Sequence, residues 1–328
     1  MAGPRVFITR RLPELGLAPL RAAGFEVRMR EDDGPIDRQA LLDGVAGADA
    51  VITLLTDVVD DAFLDAAGAG LGVVANYAVG YDNIDVAACS RRGVAVANTP
   101  DVLTETTADQ AFALLLAVAR RVREGHALVA SGGWTGWQPL QMLGQDVGGA
   151  SLGILGLGRI GEAVARRAAG FGMRIRYHNR HRNHQAERSL GADYAPLDEL
   201  LSESDVVSLH APLTDQTRHI IDARALSLMK PSAILINTSR GPLVDEAALV
   251  EALKQERLWG AGLDVFENEP GVHEGLPGLP NVVLAPHAGS ATRATRTAMA
   301  RLCAEAIAAV LSGRPAPNLL NPEVVTAR

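Results

Sequence analysis

Short apolar runs recur along the first hundred residues and alternate with segments whose apolar positions are three or four residues apart. The runs are typical of buried parallel strands, and the spaced pattern is typical of helices that cover such a sheet. Predicted strands in this part are residues 6–9, 25–29, 48–55, 73–77 and 94–97. Predicted helices between them are residues 13–23, 36–45, 61–67 and 86–92. This alternation predicts a parallel sheet with helices on both faces.

The helical pattern lengthens after residue 100. Its apolar positions fall on one face: Ala108, Ala111, Phe112, Leu115, Leu116 and Ala119. Asp101 or Thr104 can cap this segment, so we predict one long helix over residues 101–123. The Gly-rich stretch 131–149 has no clear period and is predicted to be irregular, with a role in function or assembly.

A second alternation of strands and helices fills the rest of the chain. Its predicted strands are residues 152–155, 174–177, 205–209, 233–237, 262–265 and 282–285. Its clearest helices are residues 160–171, 246–255 and 295–311. The chain is therefore predicted to hold two α/β blocks, each built on a parallel sheet.

Only the second block carries a glycine pattern with a chemical use. Gly156, Gly158 and Gly161 follow its first strand and open its first helix, with the spacing G-x-G-x-x-G. The first glycine permits a tight turn, the second lets the backbone approach a pyrophosphate, and the third lets helix and strand pack closely. Together with Arg159 and Ile160 of the same turn, they form the predicted phosphate-binding part of a dinucleotide site.

The end of the next strand bears on which dinucleotide binds. An acidic residue about 20 residues after the glycines would bind the adenosine ribose and exclude a 2′-phosphate. Here Asn179 occupies that place and no carboxylate is present between Tyr177 and Arg182. The guanidinium groups of Arg180 and Arg182 suit a phosphate dianion. We therefore predict that NADP(H) is preferred and that NAD(H) can also bind, the alternative being a solvated basic loop.

Composition narrows the class of protein further. A length of 328 residues exceeds the usual size of one core and favours two domains. The net charge of −7 disfavours nucleic acid as a partner. The sequence contains no run of about 18 apolar residues, so no membrane span is predicted. Cys89 and Cys303 fit no metal-ligand spacing, so we expect no metal site and two buried thiols in a cytoplasmic protein.

Three polar residues of the second block suggest a reaction. Arg240, Glu269 and His287 each lie just beyond a predicted strand, where ligands bind in open α/β sheets. An arginine suits a carboxylate by bidentate pairing, a histidine can donate a proton near neutral pH, and a neighbouring carboxylate favours the protonated histidine. Each residue alone is more often structural. Together, behind the glycine turn, they predict reduction of a 2-keto acid with hydride supplied by the cofactor.

In this order and spacing, these pieces resemble the D-isomer-specific 2-hydroxyacid dehydrogenase family over nearly the whole chain. The matching stretches are residues 79–85, the glycine turn, residues 236–241, the stretch around Glu269, and residues 279–282 leading to His287. The resemblance implies that Arg240 binds the substrate carboxylate and keto oxygen, that His287 is the acid/base, and that Glu269 is its partner. It implies further site residues: Val79 and Gly80 through backbone N–H groups on the carboxylate, Asp264 near the nicotinamide, Thr107 near the cofactor, and Ser290 and Arg293 at the edge of the site. Thr107 is explained equally well as a helix-face residue.

Within the family, the chain is similar to the glyoxylate/hydroxypyruvate reductases in residues 133–137, Asn179-Arg180 and residues 287–292. This similarity implies a small 2-keto acid, glyoxylate or hydroxypyruvate, as substrate, and NADPH as hydride source. Two alternatives stay open. One is an NAD-dependent 2-hydroxyacid dehydrogenase of another substrate range, and the other is a non-catalytic, corepressor-like dinucleotide-binding protein.

The predicted architecture is a Rossmann cofactor domain, residues 99–287, inserted into a flavodoxin-like parallel α/β substrate domain of residues 1–98 and 288–328. The long helix and the Gly-rich stretch offer more apolar surface than one domain needs, so a homodimer is predicted. The resemblance implies that a tryptophan of one subunit reaches the other's active site. Trp137 is the better candidate because it precedes the stiff Gln138-Pro139, the alternative being that Trp134 and Trp137 only fill the interface.

Overall fold

The computed structural model describes residues 3–326, which form two compact units. One unit contains the residues up to Leu103 and those from Ala291 onward, and the other is Thr104–Ser290. Residues 1, 2, 327 and 328 of the predicted substrate domain lie outside the described residues.

The first unit is built on a five-stranded parallel sheet. Its strands are β1 (Arg5–Ile8), β2 (Glu26–Met29), β3 (Ala50–Thr53), β4 (Val73–Asn76) and β5 (Ala95–Ala97). They lie in the order β2-β1-β3-β4-β5, which is the flavodoxin-like order. Every residue of β3 and β4 is buried, because helices cover both faces of a parallel sheet and leave no solvated side.

The second unit is built on a seven-stranded parallel sheet. Its strands are β6 (Ser151–Leu155), β7 (Arg174–His178), β8 (Asp193–Tyr194), β9 (Val206–Leu209), β10 (Ile234–Asn237), β11 (Gly260–Leu263) and β12 (Val282–Leu284). The order is β12-β11-β10-β9-β6-β7-β8, so the chain reverses direction across the sheet between β6 and β9. This is the Rossmann order, and ligands bind at such a reversal, beyond the carboxyl ends of the strands. The predicted α/β fold class, with a Rossmann domain and a second parallel sheet, is confirmed.

Helices connect the strands in both units. In chain order they are α1 (Ala18–Ala22), α2 (Arg38–Val45), α3 (Asp61–Ala67), α4 (Val86–Arg91), α5 (Thr104–Ala119), α6 (Val122–Ala130), α7 (Arg159–Gly170), α8 (His184–Leu190), α9 (Leu197–Glu203), α10 (Ala223–Leu228), α11 (Glu246–Lys254), α12 (Arg293–Leu311) and α13 (Glu323–Thr326). Short 3₁₀ turns occupy Glu14–Leu17 and Gly241–Leu243. Among residues 3–326, no helix is long and apolar enough to cross a membrane. Cys89 and Cys303 are buried free thiols.

The predicted long helix 101–123 is wrong in one respect, since it is two helices. α5 ends at Ala119, and Arg121 adopts a left-handed conformation with φ of 52° before α6 begins. The cause lies in the Gly-rich stretch, where the Gln145 N–H donates to the Ala119 carbonyl at 2.9 Å. A Cβ on Gly144 would lie 2.2 Å from that same oxygen, so only glycine allows this approach.

The predicted strand 262–265 is displaced by two residues from β11. Gly260 and Ala261 belong to the strand although neither is a typical strand residue, while Asp264 and Val265 follow it. Small residues are required here because α5 packs closely on β11: a Cβ on Gly262 would lie 2.8 Å from the Cβ of Leu114.

Candidate active site

The glycine turn follows β6 at the reversal of the sheet, and each glycine is required for a different reason. Gly156 has a φ of 99°, and a Cβ there would lie 2.6 Å from the Ala211 nitrogen, beyond β9. A Cβ on Gly161 would lie 2.4 Å from the Gly156 carbonyl oxygen. At Gly158, by contrast, no heavy atom from other parts of the described chain lies within 4 Å of the Cβ position. The open space over Gly158 matches the position where a pyrophosphate contacts the backbone.

The first turn of α7 lies directly after this open space. Gly158 is its N-cap and has no side chain that could cap the helix. Its first N–H groups can therefore bind phosphate oxygens, with the positive end of the helix dipole behind them. Arg159 and Ile160 begin the helix and are exposed and half-buried, respectively. Thr238, beyond β10, adds a buried hydroxyl with no hydrogen-bond partner in the described part of the chain. A dinucleotide fits this set of groups.

Two asparagines hold the glycine turn in place. The Asn179 side-chain oxygen accepts from the Leu157 N–H at 2.6 Å. The Asn183 side-chain nitrogen donates to the Leu157 carbonyl at 3.2 Å and to the Glu162 carboxylate at 2.9 Å. Asn179 therefore supports the phosphate-binding turn from the side of β7. Asn183 was not anticipated from the sequence, although an asparagine before a helical pattern is a recognisable cap, and it does cap α8 through the Ala186 N–H.

The two arginines predicted to bind a 2′-phosphate differ in their surroundings. Arg180 is exposed directly after Asn179. The Arg182 Nε donates to the Glu187 carboxylate at 2.9 Å, and the guanidinium lies 5.4 Å from the centre of the Tyr194 ring. Hydrogen bonds from Arg182, Tyr177 and His184 lower the pKa of Glu187 to about 2, so the ion pair persists at neutral pH. Arg182 is therefore already engaged by an acid of its own chain.

Arg240 lies in a turn that Asn237 shapes at the end of β10. The Asn237 side-chain oxygen accepts from the Ser239 N–H at 3.1 Å, and its nitrogen donates to the Arg240 carbonyl at 2.9 Å. The Ser239 hydroxyl donates to the Ala211 carbonyl at 2.6 Å. These bonds leave the half-buried Arg240 side chain at the carboxyl end of the sheet.

His287 and Glu269 form the predicted pair. The His287 Nδ1 lies 2.9 Å from the Glu269 Oε2, and the Phe266 N–H donates to Oε1 of the same carboxylate at 3.0 Å. Burial raises the pKa of Glu269. The His287 hydrogen bond and charge, the Phe266 N–H and the Arg240 charge outweigh burial, so this pKa lies below its usual range. An ionised carboxylate only accepts, so Nδ1 carries the hydrogen and Nε2 is left for a substrate.

Asp264 is buried beneath this pair. Its two carboxylate oxygens accept from the Ala288 and Gly289 N–H groups, each at 2.7 Å, and its carbonyl accepts from the His287 N–H at 2.8 Å. Burial is the main reason that the pKa of Asp264 is raised. His287 has a φ of 52°, an uncommon conformation that these bonds hold. Thr107, buried on α5, adjoins Gly289: its hydroxyl lies 3.4 Å from the position a Gly289 Cβ would take.

The remaining predicted residues are placed as follows. Val79 and Gly80 belong to the first unit, where the Asn98 and Asn76 side chains donate to their carbonyls, each at 2.8 Å. Ser290 is the last residue of the second unit, and Arg293 is the exposed first residue of α12 in the first unit. Trp137 is 82% exposed in the irregular stretch of the second unit.

Comparisons with known proteins agree on one family. The model of the NAD binding domain of D-isomer specific 2-hydroxyacid dehydrogenases matches residues 112–289. The glyoxylate reductase of Thermococcus onnurineus is 52% identical over 99% of this chain and 98% of its own. A crystal structure from Thermus thermophilus has a TM-score of 0.90 and 48% identity, covering 96% of this chain and 99% of its own.

The NADPH-dependent glyoxylate/hydroxypyruvate reductase of Sinorhizobium meliloti, solved in complex with NADP and malonate, is also similar. It has a TM-score of 0.83 and 37% identity, covering 97% of this chain and 96% of its own. The range matched by the family model, residues 112–289, spans the glycine turn, Arg240, Glu269 and His287. The chain therefore belongs to the D-isomer specific 2-hydroxyacid dehydrogenase family of nicotinamide-dependent enzymes.

Proposed function

We propose that the chain reduces glyoxylate and hydroxypyruvate to the corresponding 2-hydroxy acids with NADPH as hydride donor. The observation that carries this proposal is the His287–Glu269 pair at 2.9 Å, with Arg240 close enough to lower the pKa of Glu269. The names of the relatives, which include glyoxylate reductases from several archaea, support the choice of keto acid.

The residues divide the chemistry between them. The bound nicotinamide supplies the hydride. Arg240 binds the substrate carboxylate and keto oxygen and stabilises the negative charge that develops on that oxygen. His287 donates a proton from Nε2 to the oxygen, and ionised Glu269 stabilises the imidazolium that donates it. Contacts from Val79, Gly80, Ser290 and Arg293 to the substrate stay predictions.

The preference for NADPH is the finer part of the proposal. It is supported by the absence of a carboxylate between Tyr177 and Arg182, by exposed Arg180, and by the NADP complex of the Sinorhizobium meliloti relative. Arg182 supports it less, because Glu187 already engages its guanidinium. NAD(H) as a second cofactor also stays a prediction.

A homodimer is proposed on an exposed apolar surface of the second unit. None of the residues of α6 is buried, and large apolar side chains around it and in the irregular stretch are exposed: Val122, Val129, Trp134, Trp137, Leu140 and Leu143. Large exposed apolar side chains on neighbouring segments of the chain are typical of an interface between identical subunits. Entry of Trp137 into the partner's active site and a cytoplasmic location remain predictions.

Initial rates test the proposed function. Glyoxylate, hydroxypyruvate and pyruvate are each assayed with NADPH and with NADH. We expect the highest kcat/KM for glyoxylate or hydroxypyruvate with NADPH. No oxidation of either cofactor above background would refute the proposed reaction, and higher kcat/KM with NADH would refute the proposed preference.

A further inference from the structure

Glu246 is a buried carboxylate for which the proposed reaction has no use. It is the first residue of α11 and only 4% of it is exposed. A buried carboxylate is costly unless hydrogen bonds satisfy it, so its partners show what it holds. Its Oε1 accepts from the Glu267 N–H at 2.7 Å, and its Oε2 accepts from the His273 N–H at 3.3 Å.

These two N–H groups lie at the two ends of a short loop. The loop, residues 267–273, contains Glu269 between the two attachment points. Within it, the Gly271 N–H donates to the Asn268 carbonyl at 2.8 Å and closes a tight turn. One carboxylate thus holds both ends of the segment that presents Glu269 to His287.

The same loop is packed against the turn that carries Arg240. A Cβ on Gly241 would lie 1.8 Å from the Phe266 carbonyl carbon, so the two backbones are in direct contact. The Glu267 side chain accepts from the His219 Nε2 at 2.6 Å, and the His219 N–H donates to the Pro242 carbonyl at 2.8 Å. The loop is therefore enclosed by Gly241 on one side and Glu246 on the other.

We propose that Glu246 is a positioning residue, which fixes the 267–273 loop so that Glu269 reaches the His287 Nδ1 beside Arg240. The Glu246 carboxylate contacts the loop through two backbone N–H groups, those of Glu267 and His273. The proposal rests on the function proposed above for Glu269 and His287. If the loop loosens, the Glu269–His287 hydrogen bond is lost first, because Glu269 lies between the two attachment points.

The test compares Glu246→Ala and Glu246→Gln with the parent enzyme and with Glu251→Ala. Glu251 is an exposed glutamate on the same helix, so it controls for changes in α11 itself. For Glu246→Ala we expect kcat for glyoxylate to fall roughly 10- to 100-fold, since a misplacement of about 1 Å at a catalytic group has effects of this size. The KM for NADPH is expected to stay unchanged, because the glycine turn is not attached to this loop.

The pH profile separates positioning from a purely structural role. With Glu269 displaced, the imidazolium of His287 loses its stabilising charge, so reduction should decline from a lower pH in Glu246→Ala than in the parent. Loss of stability alone would lower Tm and leave the pH profile of the folded enzyme unchanged. A folded Glu246→Ala enzyme with the parent's kcat and pH profile would overturn the proposal.

Glu246→Gln keeps the test valid if Glu246→Ala does not fold. Glutamine retains an acceptor for the Glu267 N–H but turns an amide N–H₂ toward the His273 N–H. We therefore expect a kcat and a pH profile between those of the parent and those of Glu246→Ala. If Glu246→Gln kept the kcat and the pH profile of the parent, as the control Glu251→Ala is expected to do, this result would count against the proposal.

If the parent reduces neither keto acid, the proposed function fails and crystal structures decide the inference. The Glu269–His287 hydrogen bond, present in the parent, should then be broken in the Glu246 variant. Its retention would overturn the positioning role.

Discussion

At the scale of single residues, we expect the Glu269–His287 pair to determine how the rate of reduction responds to pH. Because the pKa of Glu269 is held below its usual range, this carboxylate stays ionised throughout the neutral range. Ionised Glu269 stabilises the imidazolium form of His287, which is the form that donates the proton. In Glu269→Gln this negative charge is gone, so kcat/KM measured across pH should decline at a lower pH than in the parent. A profile identical to that of the parent would remove Glu269 from this role.

We expect the choice between NADPH and NADH to depend on a single side chain, that of Arg180. In Arg180→Ala, kcat/KM with NADPH should fall roughly tenfold, corresponding to about 1.5 kcal/mol for one charge-assisted contact at an exposed site. With NADH it should be nearly unchanged, because NADH has no 2′-phosphate. Arg188→Ala, an exposed arginine on α8, serves as the matched control. Equal losses with both cofactors would refute the assignment of Arg180.

At the scale of elements, Asn183 joins α8 to the glycine turn. In Asn183→Ala the cap of α8 is lost, which should cost about 1 kcal/mol and lower Tm by a few degrees. The Leu157 carbonyl and Glu162 also lose a donor, so the KM should rise for NADPH and NADH alike. An increase confined to NADPH would show that Asn183 acts on the 2′-phosphate instead. Kinetics with both cofactors, read beside Arg180→Ala, distinguish the two roles.

The elements also show what sequence can and cannot predict. The apolar strands, the glycine turn and the order of Arg240, Glu269 and His287 are local patterns, and they predicted the fold and the family. That Asp264 lies near the nicotinamide stays a prediction, whereas the bonds by which both its carboxylate oxygens hold the backbone after His287 were not predicted. Such partners lie 24 and 25 residues away and are brought together only by the fold. The break at Arg121 has the same origin, since it depends on the distant Gln145.

At the scale of the whole molecule, replacing the exposed Trp137 distinguishes two possible roles for this side chain in a dimer. If Trp137 only fills an interface between subunits, Trp137→Ala should weaken dimerisation and leave the kinetics of the remaining dimer unchanged. If it enters the partner's active site, the dimer should persist with altered discrimination between glyoxylate and bulkier keto acids. Sedimentation at assay concentration is measured together with kcat/KM on both substrates. Unchanged selectivity in an intact dimer would exclude the role in the active site.

In the proposed reaction His287 protonates the keto oxygen, while the glycine turn holds the phosphates of the cofactor. The most direct test measures kcat/KM for glyoxylate and the Kd for NADPH in the parent and in His287→Gln. General acid catalysis by a positioned side chain contributes about 10²- to 10⁴-fold, so kcat/KM should fall by that factor. The Kd for NADPH should not change. A His287→Gln enzyme that reduces glyoxylate as efficiently as the parent would contradict the account.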